Sequence, residues 1–480
     1  MIPSDMSVLD KLKEYNEKNV IPMHMPGHKR NVDMAGFLFD LGARYDITEI
    51  PGFDDLHDPA GMLHESMKKA SDLWHSASSF FLVNGSTCGI LSGIRALTKY
   101  GDRVLVARNS HKSVYNAIEI CGLDPVFIMP PVEPSLGIYA SIPADAVEDA
   151  LDTYEDIKMV VITSPTYDGV ISDIRKICEY AHKKHIPVLV DEAHGAHLGF
   201  SDYFPGGSVS AGADIVVQSL HKTLAGLTQT AIMHLNGDIL SENDIKRQLD
   251  IFETSSPSYL LMASIDGCIR LISASGGKLF HDWEERLGVF DSMVMDLKNL
   301  HIFSHGNDRY KYEGIYAMDP SKIVISTKGT GLQGIELFRL LLDKYNIQLE
   351  MASIDNATAL TGIGGSKEDL SAFASALNEI DAQCGKCTED ASYCLPCAYP
   401  KKVMSICKAI KSRYRFINTC DAIDAVSAEY VFAYPPGIPI IIPGEQIDCS
   451  VISVIAAYKE HGIELKSSLG STSDTIAVLV

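Results

Sequence analysis

Short apolar runs alternate with amphipathic, helix-periodic segments along much of the first half of the chain. The runs that have the length and composition of buried strands lie at residues 80–83, 103–107, 159–164, 187–190 and 215–217. Apolar residues at helical spacing follow some of these runs, at 90–97 and 174–185. This order of strands and helices predicts an α/β fold built on a mostly parallel, doubly wound sheet.

Polar residues gather directly after each of these strands. The clusters lie at residues 84–89, 108–113, 165–169, 191–195 and 219–223. In an open α/β sheet the carboxyl ends of the strands form the edge where loops meet and ligands bind. The convergence of several polar clusters on that edge predicts a binding site, more firmly than any one cluster does.

Lys222 and Asp191 are the chemically most informative pair in these clusters. A lysine at a strand end can act as an amine nucleophile and form a Schiff base with a carbonyl such as that of pyridoxal phosphate (PLP). An aspartate at a neighbouring strand end can hold the pyridine nitrogen protonated. Ser86 and Thr87 lie where a helix begins after a strand, a geometry that favours a phosphate. His111 follows a further strand and by itself is compatible with a structural or a catalytic role.

The remaining segments suggest three parts. Residues 1–30 are predicted to form an N-terminal helix, capped at Ser7, and an arm that contains His24, His28 and Lys29. Pro26 and Gly27 prevent a helix in the arm, so it is either a solvated loop or a segment that reaches an active site, such as that of a neighbouring subunit. Residues 31–300 are predicted to form the large domain, ending in a linking helix over about 265–300, and residues 301–480 a smaller α+β domain.

Composition narrows the functional classes. The 480-residue chain has a formal net charge of −21, which argues against a basic nucleic-acid-binding surface and suits a cationic substrate. No apolar run is long enough for a membrane span, and the N-terminus lacks the pattern of a secretory signal. The 11 cysteines are mostly scattered among apolar residues, as in a protein of the reducing cytoplasm.

Three further motifs suggest other kinds of site. Asp191–His194 spells the acidic box of a helicase, but the chain has no matching phosphate loop. Residues 329–334 match the glycine fingerprint of a dinucleotide site, although the glycines could serve tight packing instead. Cys384, Cys387, Cys394 and Cys397 form two Cys-x-x-Cys pairs, which leaves a structural metal, a redox-sensitive loop and chance all open. The sequence therefore assigns no metal ligand.

Taken together, the motifs resemble those of the Orn/Lys/Arg decarboxylases, which are fold-type I PLP enzymes with the aspartate aminotransferase fold. The resemblance covers about residues 5–450 and points to the short, biosynthetic arginine decarboxylase-like branch. The segments that carry it are Pro22–Lys29, Asn84–Thr87, Ser110–Ser113, Thr163–Gly169, Asp191–His194, Ser219–Lys222, Tyr434–Gly437 and Pro443–Glu445.

The resemblance implies a role for each candidate residue. Lys222 would bind the cofactor aldehyde, Asp191 the pyridine nitrogen, and His111 would stack on the ring. His194 would lie near the ring or the substrate. The phosphate would be held by Ser86, Thr87, Ser219 and His221. Placed less firmly, near the substrate or a dimer interface, are His24, His28, Lys29 and Glu445.

The resemblance also implies a homodimer or an assembly of dimers, because the family's active site lies between subunits. The expected reaction is α-decarboxylation of a basic amino acid in polyamine biosynthesis, with arginine giving agmatine placed first, lysine giving cadaverine second and ornithine giving putrescine third. Another PLP reaction, such as transamination or aldol cleavage, is the nearest enzymatic alternative. A non-catalytic binding protein that kept the fold is the alternative of another class.

Overall fold

The computed structural model describes residues 6–237, 239–303, 312–385, 400–433, 437–472 and 474–480. The chain forms two compact units, and each draws on separate stretches of sequence. The first contains the chain up to Leu97, Leu189–Asp202 and Gly206–His281. The second contains Thr98–Val188, Tyr203–Pro205 and the chain from Asp282 onward.

Helices and strands alternate through most of the described chain. The helices are α1 (Val8–Glu17), α2 (Val32–Ala35), α3 (Met62–Trp74), α4 (Gly85–Leu97), α5 (Lys112–Cys121), α6 (Ala144–Thr153), α7 (Ile174–Lys183), α8 (Ser208–Ala211), α9 (Leu220–Thr223), α10 (Glu242–Phe252), α11 (Tyr259–Val294), α12 (Gly334–Tyr345), α13 (Lys367–Gln383), α14 (Ile406–Lys411) and α15 (Cys449–Glu460).

The strands are mostly short. They are β1 (Ser78–Leu82), β2 (Arg103–Ala107), β3 (Asp124–Ile128), β4 (Val132–Glu133), β5 (Ile138–Tyr139), β6 (Ile157–Thr163), β7 (Val170–Ile171), β8 (Val188–Asp191), β9 (Ile215–Ser219), β10 (Ala231–Leu235), β11 (His301–Ile302), β12 (Ala317–Met318), β13 (Lys322–Ser326), β14 (Met351–Ala352), β15 (Asn356–Leu360), β16 (Tyr414–Asn418), β17 (Val431–Ala433), β18 (Ile438–Ile441), β19 (Leu465–Ser467) and β20 (Thr475–Leu479).

The first unit contains strands in the order β1-β10-β9-β8. Strands β8 and β9 are parallel, with Asp191 opposite Val217, so their carboxyl ends lie side by side. Strand β10 runs antiparallel to both β9 and β1. Because parallel neighbours end at the same edge, the residues after Asp191 and after Ser219 are brought together.

Two glycines allow helix α4 to pack closely on these strands. A Cβ added to Gly89 would lie 2.6 Å from Cδ1 of Leu82 and 2.9 Å from Cγ1 of Val217, and one added to Gly93 would lie 2.7 Å from Cδ1 of Leu189. A side chain at either position would force these buried neighbours to shift. The close packing fixes the start of α4, and with it Ser86 and Thr87, relative to the strands of this unit.

The second unit contains a parallel group of strands in the order β6-β2-β3. Its later part is antiparallel, with a sheet in the order β11-β13-β15-β14 and smaller ladders of β16 with β20 and of β17 with β18 and β19. One apolar cluster of this later part contains Ile441, Ile447, Val451 and Ile476, all fully buried.

Most predicted elements are observed, with ends shifted by a few residues. Strand β2 coincides with the predicted run, α1 begins after Ser7, whose side chain accepts a hydrogen bond from the Asp10 amide, and the predicted linking helix is the 36-residue α11. Strand β10 was not predicted, and its antiparallel pairing makes the sheet mixed; the predicted, mostly parallel arrangement is confirmed. The three-part division of the chain stays a prediction.

The glycine fingerprint at residues 329–334 does not lie in a dinucleotide-binding unit. The strand before it, β13, pairs antiparallel with both β11 and β15, whereas the fingerprint requires parallel strands joined by the helix. Gly334 instead packs against backbone, because a Cβ there would overlap the carbonyl oxygen of Asn356. Gly334 therefore serves packing, the alternative that the sequence had left open, whereas Gly329 and Gly331 have positive φ values of 74° and 72°.

The structure bears on the cysteine motif and on possible membrane spans only within the described residues. Cys384 ends helix α13, but Cys387, Cys394 and Cys397 lie outside the described residues. Within the described ranges, no group of three or more His, Cys, Asp or Glu side chains could hold a metal ion. In the same ranges, every helix is too short or too polar to cross a bilayer.

Candidate active site

Lys222 lies in the single helical turn α9, directly after strand β9. Its Nζ is 2.9 Å from Nε2 of His194, which follows the neighbouring strand β8. The next side chain, Thr223, is buried and contacts Nδ1 of His197 at 3.2 Å. These contacts hold the lysine at the carboxyl edge of the strands, with an imidazole placed to exchange a proton with its amine.

Asp191 is the last residue of β8 and is 4% exposed. Burial raises its pKa, while the nearby Lys222 ammonium and the Ala193 backbone amide, which donates to Oδ1 at 3.2 Å, act in the opposite direction. A carboxylate in this position is stabilised by a cationic or N–H donor partner. The structure therefore brings together the two residues on which the sequence analysis depends.

Glu192, the next residue, is equally buried but is fully engaged by the protein. It accepts hydrogen bonds from the Ser208 amide at 2.8 Å, from the Ser208 hydroxyl at 2.6 Å and from Nε2 of Gln218 at 2.7 Å. Burial raises its pKa to about 7. These contacts indicate a structural role, which the sequence analysis did not assign.

The residues predicted to bind phosphate lie in the first unit. Ser86 and Thr87 are in the first turn of α4, where backbone N–H groups are available to an anion. The Ser219 hydroxyl is buried and has no hydrogen-bond partner among the described residues. His221 Nδ1 lies 2.9 Å from the Thr230 carbonyl, and burial lowers the pKa of this imidazole.

Glu253, at the end of α10, supports the segment that leads into α4. Its Oε1 accepts hydrogen bonds from the Val83 amide at 2.6 Å and from the Asn84 amide at 3.4 Å. Burial raises its pKa to about 7, although these amides act to lower it. Glu253 could not be predicted from the sequence, because no motif marks a glutamate that contacts a loop so distant along the chain.

His111 lies in the second unit, after β2, where it caps helix α5. Its Nδ1 accepts a hydrogen bond from the Ser113 amide at 3.2 Å and lies 2.9 Å from the Ser113 hydroxyl. This local bonding fixes the ring orientation at the carboxyl end of β2. The stacking role implied by the family resemblance stays a prediction.

The N-terminal arm is held by contacts within its own region. Nε2 of His24 lies 3.0 Å from the Tyr15 hydroxyl, and Nε2 of His28 lies 3.3 Å from Asp46. The Lys29 ammonium donates to the His24 carbonyl. The structure thus gives all three arm residues local partners, and their predicted roles near a substrate or an interface stay predictions.

Glu445 lies in the second unit and is buried in an ion pair. Its Oε2 is 3.1 Å from Nη2 of Arg108 and also accepts a hydrogen bond from the Ile442 amide at 3.0 Å. Burial acts to lower the pKa of Arg108, but Glu445 and Tyr115 more than offset this, and the net shift is upward. The placement of Glu445 near a substrate or an interface stays a prediction.

Comparisons with known proteins identify the family of the chain. The model of the Orn/Lys/Arg decarboxylase major domain matches residues 7–368, and that of the family's C-terminal domain matches residues 396–464. An arginine decarboxylase from Bacillus subtilis is 32% identical over 475 residues, with 98% of this chain and 96% of that protein covered.

Lysine decarboxylases are more distant in sequence. The constitutive lysine decarboxylase of Escherichia coli is 23% identical over 542 residues, covering 93% of this chain and 75% of that protein. The crystal structure of the Francisella novicida lysine decarboxylase LdcF superposes with a TM-score of 0.85 at 17% identity, covering 99% of this chain and 82% of that one. The predicted fold-type I architecture is confirmed. The chain belongs to the Orn/Lys/Arg decarboxylase family.

Proposed function

We propose that this protein is a PLP-dependent decarboxylase that converts L-arginine into agmatine and CO2. The observation that carries the proposal is the pairing of Lys222 and buried Asp191 at the ends of adjacent parallel strands, with His194 2.9 Å from the lysine amine. These are the two protein groups that PLP chemistry most needs, a nucleophilic amine and a carboxylate for the ring nitrogen.

The residues present fit PLP. The Ser219 hydroxyl is a buried polar atom without a partner among the described residues, and a phosphate oxygen would satisfy it. Ser86, Thr87 and the first-turn amides of α4 supply further donors. Buried Asp191 suits a protonated ring nitrogen, because a charge-assisted hydrogen bond offsets the burial of the carboxylate.

When bound, PLP supplies an electron sink for the pair of electrons released from the bond between Cα and the substrate carboxylate. Asp191 would hold a proton on the ring nitrogen and would thereby keep that sink effective. Lys222 presents its amine at the edge of the strands, and His194 Nε2 accepts or returns a proton at Lys222 Nζ. Either Lys222 or His194 then delivers a proton to Cα after CO2 has left.

Arginine is proposed as the substrate because the full-length relative at 32% identity is named an arginine decarboxylase, whereas the lysine decarboxylase compared above is 23% identical. The net charge of −21 also favours a cationic amino acid. The test offers arginine, lysine and ornithine separately to the PLP-loaded protein and measures CO2 and the amine formed. CO2 with agmatine supports the proposal, CO2 with cadaverine or putrescine corrects the substrate, and no CO2 from any of them refutes the reaction.

A homodimer, or an assembly of dimers, is part of the proposal. The segment from residue 20 to residue 41 exposes a row of large apolar side chains, among them Met23 at 87% and Phe37 at 73% exposure. An apolar surface of this kind is typical of an interface. We also place the protein in the cytoplasm, which suits the buried free thiols of Cys88, Cys121, Cys178 and Cys268.

A further inference from the structure

The second unit contains a cavity of about 110 Å³ that none of the residues assigned to PLP lines. We term it the Asp168 cavity. Its lining residues include Arg108, Asn109, Tyr139, Asp168, Ile438 and Val454. Most of its wall is aliphatic or aromatic, because it lies against the apolar side chains of β18 and α15. A volume of this size accommodates a group of roughly four or five heavy atoms.

Asp168 gives the cavity a carboxylate with no ion-pair partner among the described residues. Burial raises its pKa to about 6, with the Thr358 hydroxyl acting in the opposite direction, so the group is largely ionised at neutral pH. A partly buried carboxylate that is left without a cation is less favourable than one that is paired. A cation placed in the cavity would offset that cost.

The cation that does line the cavity, Arg108, is already neutralised. Its Nη1 donates to the Tyr115 hydroxyl at 3.0 Å and to the Pro439 carbonyl at 2.8 Å, and its Nη2 to Glu445 at 3.1 Å. Both Nη atoms are thus bonded away from Asp168. The carboxylate charge of Asp168 therefore remains for a ligand.

Asn109 provides a second acceptor. Its Oδ1 is buried and has no hydrogen-bond partner among the described residues, and the same holds for Nε of Arg108. Buried polar atoms of this kind are normally bonded to protein, water or a ligand. An amide oxygen and a carboxylate both accept N–H donors, whereas the surrounding wall suits methylene groups.

We propose that the Asp168 cavity binds the cationic end of an aliphatic amine or guanidine. The charged group donates N–H bonds to Asp168 and Asn109, and the attached methylenes pack on Ile438 and Val454. The ligand class follows from the chemistry of the cavity alone and does not depend on the proposed decarboxylation. Two kinds of ligand carry such a cationic group: a basic amino-acid substrate, at its distal end, and a free amine or guanidine that acts as an effector.

Calorimetric titration of the PLP-loaded, full-length protein with butylguanidine tests the proposal. This probe has no primary amine to react with the cofactor and no carboxylate to lose. Asp168→Asn should weaken binding by at least about tenfold, since a charge-assisted hydrogen bond is lost. Ala352→Leu, which adds bulk to the cavity wall, should weaken it similarly. Asp149→Asn makes the same charge change on the exposed surface of α6 and should leave binding unaltered.

Several results would overturn the proposal. Wild-type affinity for butylguanidine in both Asp168→Asn and Ala352→Leu would mean that the cavity holds only water. Equal affinity for 1-pentanol, an uncharged molecule of similar length, would remove the role of the carboxylate. If Asp168→Asn does not fold, as judged by its melting curve, Ala352→Leu decides the matter alone.

Kinetics then separate the two sources of the cation. Competitive inhibition by butylguanidine, together with a higher KM for arginine in Asp168→Asn at similar kcat, identifies the substrate's distal group. Noncompetitive inhibition with an unchanged KM identifies a free effector, and both results support the cavity as a cation site. Binding that depends on Asp168 in a protein that releases no CO2 from any amino acid would refute the proposed function and leave this inference standing.

Discussion

Replacement of Glu253 tests whether the loop before α4 must be held in place for the cofactor to bind. In the wild-type protein its carboxylate accepts the Val83 amide at 2.6 Å and the Asn84 amide at 3.4 Å, just before Ser86 and Thr87. Glu253→Ala leaves the Val83 amide buried without an acceptor, which costs about 1–3 kcal/mol. The loop can relieve that cost by shifting, and PLP must then restore the bound position.

We therefore expect Glu253→Ala to raise the dissociation constant of PLP by roughly 5- to 150-fold, the range that corresponds to that free energy. Glu253→Gln is the matched control, because an amide oxygen can still accept the Val83 bond, and its PLP affinity should stay within about threefold of wild type. The assay is titration of the apoprotein with PLP, followed by the visible absorption of the bound cofactor, with urea unfolding measured in parallel.

The comparison between the two variants decides the outcome. If Glu253→Ala binds PLP as tightly as wild type while remaining folded, Glu253 does not position the loop before α4. If both variants lose affinity equally, the charge matters rather than the hydrogen bond, and the reasoning from the Val83 amide is wrong. A loss of PLP affinity in Glu253→Ala without a comparable loss in Glu253→Gln is the expected result.

Four further predictions follow from the same geometry. Lys222→Ala should abolish CO2 release, whereas the control Lys158→Ala, at an exposed position of β6, should not change it. Near-normal CO2 release in Lys222→Ala would refute the assignment of Lys222 as the residue that binds PLP. Asp191→Asn should keep the fold and lower kcat by about 100-fold or more, measured as CO2 release at saturating substrate. Burial lowers the pKa of His234 to about 3. As pH falls from about 6.5 to 4, the unfolded state therefore takes up a proton at this histidine that the folded state does not. The free energy of unfolding of the wild type should therefore fall by about 3 kcal/mol more than that of His234→Gln over this range. An equal pH dependence of the two free energies, measured by urea unfolding at each pH, would contradict this. Phe37→Ser should shift sedimentation toward the monomer, and an unchanged dimer would exclude residues 20–41 as its interface.

The strands that carry the candidate site could be predicted because they are buried and short. An apolar run such as Val188–Val190 or Ile215–Val217 is stable only when it is buried, as in the interior strands of a sheet. The polar residues that follow such a strand must then lie at the edge of the sheet. That inference needs only local sequence, and it places Asp191, Lys222 and Ser219 correctly at strand ends.

Strand β10 was missed because its burial depends on partners distant in sequence. His234 interrupts the apolar run at Ala231–Leu235 and suggests a surface position. In the structure its Nδ1 lies 2.8 Å from the Ser79 hydroxyl and its Nε2 lies 3.2 Å from Oε1 of Gln218, so the imidazole is buried with both nitrogens bonded. No local sequence pattern predicts these two contacts. The contacts of Glu253 with the Val83 and Asn84 amides could not be predicted for the same reason.

Asp191 and Glu192 show how a binding carboxylate can be distinguished from a structural one. The two residues are adjacent, both are buried, and burial raises the pKa of both. Glu192 receives three hydrogen bonds from Ser208 and Gln218, so its acceptor capacity is used within the protein. Asp191 accepts the Ala193 amide and faces the charge of Lys222, which leaves acceptor capacity for a ligand that brings its own N–H. By the same accounting, Glu445 is committed to Arg108, whereas Asp168 has no ion-pair partner among the described residues, which is why we propose a cationic ligand for it.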